Sequence, residues 1–431
     1  MKMTGNIQRS MPNVQRQSAE QVHGAFEKFV VPSYARFDLV LERGEGSYVW
    51  DVDGRRYLDL AAGIAVCSLG HAHPEITRIL CEQSAKLIHV SNLYYNELQG
   101  CLARRIVGLI APGRVFFCNS GAEANEGLFK LARKFGHEQG RYEIITAVDS
   151  FHGRTLAGIA ATGQEKVKKG FEPAVAGFKH VPFNDLEALR RAITTQTAAI
   201  LVEPVQGESG ITVATPEYLI GLRKLCDENK LLLLFDEVQA GHFRSGRFQS
   251  WQRILEDQQV DLVPDAVAMA KSLGGGFPIG AFWVREQFAT VLSPGSHAST
   301  FGGTPLGCAV ALRILDVIER ENLAANARRM GEFFITELKA LSKRYPKVLR
   351  EIRGLGLMIG IEFEPKVAVL TDSKLSPAIQ IVNRLHAAGV LTVPAATSVI
   401  RLLPPLNLSR NEAEDGLRGI GSVVEALNRE S

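Results

Sequence analysis

The chain has 431 residues, with 49 Lys plus Arg against 46 Asp plus Glu, and it is 46% hydrophobic. That length suggests two or three domains with a core that needs no staples, and a net charge of +3 gives no reason to expect nucleic acid or an anionic membrane as partner. The six cysteines form no C-x-x-C pair, which argues against a disulfide framework or cysteine zinc site and for a reducing compartment, the cytoplasm, and no apolar run approaches the roughly 18 residues of a membrane span.

Residues 1–25 lack the apolar core of a secretory signal and read as a flexible N-terminal extension. YVWDVDGRRYLDL (48–60) alternates around Asp53-Gly54, a hairpin signal. His71 and His73 in GHAHPE read as a turn before a helix, because no acidic or cysteine ligand pattern surrounds them. From Arg114 to Val284 short apolar strands alternate with helical patterns. RVFFC (114–118) precedes a helix at 121–135, YEIITAV (142–148) ends before FHGRT, and AAILVE (198–203) precedes a helix at about 215–229. LLLLF (231–235) runs into DEVQ, and DAVAMA (265–270) into KSLGGG. Such runs suit strands buried on both faces, and the rhythm predicts a doubly wound α/β domain with a mainly parallel sheet. A long helix pattern follows from Thr304 to Arg320, then GLMIGIEFE (356–364), a helix near 376–388, VIRLL (399–403) and a closing helix at 410–427. The expected organisation is a large domain over 71–308 and a smaller α+β domain built from 26–70 and 309–431.

The unusual residues fall at the carboxyl ends of strands, where ligands of such sheets sit. Asp236 ends LLLLF and Lys271 ends AVAMA. Each charge is costly there without a partner. Taken singly, Asp236 reads as a cap of the next turn and Lys271 as a surface lysine opening a glycine loop. Together they describe one site with an acid, an amine and flexible backbone. Pyridoxal phosphate needs such a set: a lysine for its Schiff base and an acid that keeps the pyridine nitrogen protonated. Ser120-Gly121-Ala122-Glu123 adds an S-x-x-E helix start, either an ordinary cap or an anion site made by free N–H groups and the helix dipole.

SNLYYNE (91–97), SGAEANE (120–126), FHGRT (151–155), EPVQGE (203–208), DEVQ (236–239), KSLGGGFPIGA (271–281), STFGG (299–303), GLGLMIG (354–360) and VIRLLPP (399–405) stand in this order. From about Tyr34 to the C-terminus the chain resembles a class III (subgroup II) pyridoxal-phosphate aminotransferase of fold type I, on the acetylornithine aminotransferase branch. The resemblance implies that Lys271 carries the cofactor and shuttles the proton, Asp236 pairs with the pyridine nitrogen, and Gln239 donates to the phenolic oxygen. Phe151 and Val238 would sandwich the ring, and Ser120, Gly121 and Ala122 would hold the phosphate. Thr300 would reach the phosphate from the partner subunit of a homodimer with shared sites, and Asn92 would contribute to substrate binding.

Arg154 and Arg401 would each grip a substrate carboxylate through a bidentate fork. The expectation for the pair is a switch. An ω-amino donor sets its one carboxylate on Arg154 while Glu203 neutralises Arg401. 2-Oxoglutarate then displaces Glu203 and occupies both arginines. Taken singly, these charges read as ordinary ion pairs. The implied reaction moves the terminal amine of N2-acetylornithine to 2-oxoglutarate. Ornithine, succinylornithine, succinyl-diaminopimelate, GABA and other ω-amines are the alternatives within the class. An aminomutase or decarboxylase would not need the second arginine, and a non-catalytic scaffold would not need Lys271 with Asp236. Several positions depart from the family pattern: Leu98 stands for Pro, Ser209 for Gly, Thr304 for Asn, and AGHFRSG after DEVQ for TGMGRTG. Of these, His242 and Phe243 lie near the DEVQ turn, with His242 expected to pack rather than titrate.

Overall fold

The computed structural model describes residues 17–365, 367–370 and 374–430. Its centre is a seven-stranded sheet: β1 (Gly113–Cys118), β2 (Glu143–Ala147), β3 (Phe178–Val181), β4 (Thr197–Val202), β5 (Leu232–Asp236), β6 (Ala266–Met269) and β7 (Gly280–Arg285). They lie in the order β1-β7-β6-β5-β4-β2-β3. The contacts β3–β2–β4–β5–β6 are parallel, and β7 runs antiparallel to both β6 and β1. Every residue of β4, β5 and β6 is buried, as continuous apolar runs covered by helices on both faces require. Two apolar clusters fill those faces. One includes Leu219, Leu222, Trp251 and Leu315, and the other Leu128, Leu131 and Phe282.

The chain ends meet in a second region. The hairpin strands Tyr48–Asp51 and Arg56–Asp59 pair antiparallel, and Leu58 lies beside Val390 in a parallel pairing with the C-terminal part. Leu349–Gly354, Ile359–Phe363, Val399–Leu402 and Val393–Ala395 form an antiparallel sheet. Helices Leu323–Arg344, Pro377–Ala387 and Arg410–Glu430 cover it, and one core joins Leu58 and Leu60 to Phe334, Ile361 and Leu427. The first of these helices and the strand Leu349–Gly354 have no counterpart in the sequence reading.

The N-terminal extension needs a correction. Residues 1–16 lie outside the described residues, but Ala19–Phe29 is a helix. Ser18 accepts from the Gln21 N–H, and the Gln21 side chain accepts from the Ser18 N–H, a reciprocal capping box. None of the helix's residues is buried, so caps and an amphipathic face hold it without a core of its own. Among the described residues no helix is long and apolar enough to cross a membrane, and no group of three metal-ligating side chains occurs. His71 instead pairs with Asp59 at 2.8 Å.

Candidate active site

A cavity of ≈ 390 Å³ opens at the carboxyl ends of β4, β5 and β6, where the crossover topology leaves room between loops. Ser120, Gly121, Ala122, Phe151, Arg154, Glu203, Asp236, Val238, Gln239 and Lys271 line it, together with Val66, Asn125 and His152. Arg401, Thr300 and Asn92 do not. Arg401 is buried behind the lining residue Gln239. Thr300 and Asn92 are exposed on this chain, and Asn92 Nδ2 donates to the Ser299 and Gly302 carbonyls at 3.0 and 2.9 Å. Within the chain, therefore, Asn92 shapes the turn that carries Thr300 rather than reaching the cavity.

Asp236 is 4% exposed. Asn125 Nδ2 donates to its Oδ2 at 2.7 Å and His152 Nδ1 lies 2.9 Å from the same oxygen. The Val238 N–H donates to Oδ1 at 3.0 Å. Together these contacts hold both oxygens of the carboxylate in place. The sequence reading missed Asn125 and His152, although both stand inside quoted strings, SGAEANE and FHGRT. The signal was available: a buried strand-end acid must find donors, and these strings supply the polar residues of the adjoining loops.

Lys271 occupies a left-handed backbone position, φ 46°. Burial, seconded by the Arg401 charge, lowers its pKa to about 8, with Glu208, Asp236 and Glu203 opposing. The amine is therefore neutral far more readily than a surface lysine, as nucleophilic attack on a carbonyl requires. Across the cavity Ser120 caps the helix Gly121–Gly136. Its Oγ accepts from the Glu123 N–H at 3.2 Å, while Glu123 reaches one residue further back than an ordinary capping box, to the Asn119 N–H at 2.9 Å. The helix start thus presents Gly121 and Ala122 to the cavity. A Cβ on Gly121 would stand 2.6 Å from Val238 Cγ1, so only glycine lets the helix and the Val238 side chain close together here. An amine of lowered pKa, a triply held carboxylate, a helix N-terminus and the paired faces of Phe151 and Val238 fit pyridoxal phosphate.

The expected Glu203–Arg401 pair is not formed. Arg401 pairs with Glu208, Nη1 at 2.7 Å and Nη2 at 3.2 Å from its two oxygens. Arg401 Nη1 also donates to Gln239 Oε1 at 3.0 Å, and Gln239 Nε2 donates to Glu208 Oε1 at 3.2 Å. EPVQGE contains two glutamates, and the turn decides between them. Glu203 follows the end of β4 and turns toward the neighbouring loop, accepting from the Phe151 N–H at 2.9 Å and the Gly207 N–H at 3.3 Å. A short ribbon, Val205–Gln206 with Thr212–Val213, then returns Glu208 to Arg401. The electrostatics divide likewise. Burial, then the Asp236 charge, holds the Glu203 carboxyl well above its ordinary range. Burial raises Glu208 too, but the Arg401 charge and hydrogen bond outweigh it, and its pKa lies below the usual value.

Arg154 lies exposed at the mouth, its guanidinium 5.5 Å from the Phe151 ring centre. Among the described residues no carboxylate pairs with it. His242 and Phe243 do not line the cavity. His242 is buried against Phe248, with ring centres 5.3 Å apart, and Phe243 packs where the two large cores meet.

This fold and this set of groups define an aminotransferase. The aminotransferase class-III family model matches residues 30–424, and the chain belongs to that family, whose cofactor is pyridoxal 5′-phosphate. It is 48% identical to an acetylornithine aminotransferase of Gloeobacter violaceus, over 94% of this chain and 98% of that one. It is 43% identical to a succinylornithine transaminase/acetylornithine aminotransferase of Pseudomonas aeruginosa, over 97% of this chain and 100% of that one. Among solved structures, the ornithine aminotransferase of Toxoplasma gondii, described with pyridoxal phosphate at its active site, superposes with a TM-score of 0.90 at 32% identity, covering 97% and 96% of the two chains.

Proposed function

We propose that this aminotransferase moves the terminal amine of N2-acetylornithine to 2-oxoglutarate, giving N-acetylglutamate 5-semialdehyde and glutamate, as a cytoplasmic homodimer with shared active sites. The observation that carries the dual-substrate reading is a buried arginine paired with a partly exposed carboxylate. Arg401 is 2% exposed, whereas the Glu208 side chain is 27% exposed and stands on a ribbon turn. Bound to Lys271, the cofactor supplies an electron sink for the carbanion formed when the substrate loses a proton.

The protein's own groups do the rest. Lys271 would hold the cofactor's aldehyde and carry the proton between carbon atoms. Asp236 would keep the pyridine nitrogen charged, and Asn125, His152 and the Val238 N–H hold that carboxylate in place. Phe151 and Val238 would bound the ring, Ser120, Gly121 and Ala122 would take the phosphate, and Gln239 would donate to the phenolic oxygen. Thr300, exposed on its own chain, is assigned to the partner's phosphate, and Asn92 to the segment beside it. With an ω-amino donor, Glu208 stays on Arg401 and Arg154 receives the distal carboxylate. With 2-oxoglutarate, the α-carboxylate replaces Glu208. Glu203 is a fixed backbone anchor in both halves.

The test times the two half-reactions separately. In Glu208→Ala, Arg401 is left without its partner, a loss that costs roughly 3–5 kcal/mol for a buried pair. Glutamate and other α-amino acids should then gain on the ω-donor by tenfold or more. In Arg401→Ala the 2-oxoglutarate half should collapse while the donor half survives. Equal slowing of both halves would mean that Arg401 is structural. A panel of acetylornithine, succinylornithine and ornithine decides the acyl preference. Succinylornithine is the second reading, because the P. aeruginosa relative carries both activities in its name.

A further inference from the structure

The turn that precedes Val66 is strained. Ala62, Gly63, Ile64 and Ala65 have φ values of 45, 65, 62 and 63°. Only glycine visits this region freely; each of the others costs about 1–2 kcal/mol. A run of this kind persists only where its surroundings over-determine it. Two side chains do so here. At the start, Asp59 Oδ1 accepts from the N–H groups of Ala61 and Ala62, both at 2.9 Å. At the end, Ser272 Oγ donates to the Ala65 carbonyl at 2.6 Å. Ser272 is 2% exposed and directly follows Lys271. Its own carbonyl accepts from Ser68 Oγ at 3.5 Å. The hydroxyl thus joins two left-handed segments from distant parts of the chain, the turn and Lys271, and the residue after the turn, Val66, lines the cavity with Lys271.

We propose that Ser272 is a positioning residue: by pinning the strained turn to the lysine loop, it fixes Val66 as the wall that seats the amine donor against the Lys271 amine. Ser272 itself does not line the cavity. The proposal rests on the reading of Lys271 as the cofactor lysine. Without the hydroxyl, the buried Ala65 carbonyl loses its donor, the turn relaxes toward ordinary backbone, and the wall retreats.

The experiment compares wild type, Ser272→Ala, Ser272→Cys, Val66→Ala and the double variant Val66→Ala/Ser272→Ala. Hydrogen exchange of residues 61–68 in the cofactor-free protein should quicken about tenfold in Ser272→Ala, the equivalent of one buried hydrogen bond. In the holoenzyme the donor KM should rise about tenfold with kcat changed by less than about twofold. Val66→Ala should reproduce the KM rise, and the double variant should add little, because both changes act on one wall. If Ser272→Ala does not fold, Ser272→Cys, a weaker donor of similar size, is scored by the same KM. A wild-type donor KM in a folded Ser272 variant, or fully additive KM changes in the double variant, overturns the proposal. Borohydride labelling separates the two failures. Label on another lysine removes the site reading and the proposal with it, while label on Lys271 beside an unchanged KM removes the proposal alone.

Discussion

Asp236, the last residue of β5, and His242, in the turn beyond it, are 4% and 1% exposed, yet the chain treats them in opposite ways. Asp236 is met by Asn125, His152 and the Val238 N–H, and behind the lining residue Gln239 Arg401 pairs with Glu208. In the turn beyond, both His242 ring nitrogens find no partner among the described residues, nor do Arg244 Nε and Nη2, Ser245 Oγ or the Gln249 side-chain amide nitrogen and oxygen. Among the described residues Arg244 donates to two carbonyl acceptors, Leu357 and Pro404, at 3.0 and 2.8 Å. Burial lowers its pKa to about 10 and that of His242 to about 3. Asp236 is held by hydrogen-bond partners on both oxygens, whereas the turn holds a histidine by keeping it neutral. Function requires the first arrangement, and the second is a cost to stability.

The largest expected effect breaks the first side. Asp236→Asn keeps the shape but gives up the charge, so turnover should fall by about 10²–10⁴-fold, the scale of a lost acid–base or charge contribution. Cofactor binding should survive in part. Near-wild-type turnover would make Asp236 a structural cap.

The second side is tested by pH. His242 is depressed to about 3 in the folded protein from an ordinary 6.5. Between those values the unfolded chain binds the extra proton, so stability is lost as pH falls through the window, by at most about 5 kcal/mol. Glu237, buried behind Asp236, runs the other way. Burial raises it to about 7 from 4.5 against the Ser250 and Trp251 hydrogen bonds. Between 4.5 and 7 the folded state holds the extra proton, so stability is lost as pH rises, by about 3 kcal/mol. The two slopes oppose each other between pH 4.5 and 6.5. His242→Met should uncover the Glu237 slope, with stability falling as pH rises, and Glu237→Gln should uncover the acid lability of His242. Denaturant midpoints at pH 5, 6 and 7 check both. Parallel profiles for wild type and the two variants would show that neither group titrates on unfolding.

The same contrast marks what the sequence made legible. The strand-end positions of Asp236 and Lys271 followed from apolar runs that stop at a charge, and the hairpin at 48–60 from its alternation. The choice between Glu203 and Glu208 was not legible, because it depends on how a ribbon turn folds back, and spacing within EPVQGE carries no record of that. The helix Leu323–Arg344 buries Leu323, Ala327, Met330, Phe334 and Leu338, a helical period legible in the sequence though no chemistry-bearing residue marks it. The GLGLMIG string shows a close approach that pattern alone does not reveal: a Cβ on Gly356, φ 57°, would lie 2.5 Å from the Arg244 carbonyl oxygen.

The smallest effect separates strain from packing in the turn. His242 and Phe243 have φ of 54 and 67°, and the family pattern has glycine where Phe243 stands. Phe243 is half-buried and packs against both large cores and the Phe248 ring, 5.4 Å away. Its apolar contacts offset a backbone cost of about 1–2 kcal/mol. Phe243→Ala loses the contacts and keeps the cost, whereas Phe243→Gly loses both. In most positions glycine is the less stable of the two replacements, because the unfolded chain gains entropy. Here the order should invert, with Phe243→Gly more stable than Phe243→Ala by about 0.5–1 kcal/mol and both less stable than wild type. Thermal midpoints of the three proteins measure it. If alanine is the more stable replacement, the left-handed backbone at Phe243 carries no strain, and the contrast between cavity and turn reduces to the unpartnered side chains alone.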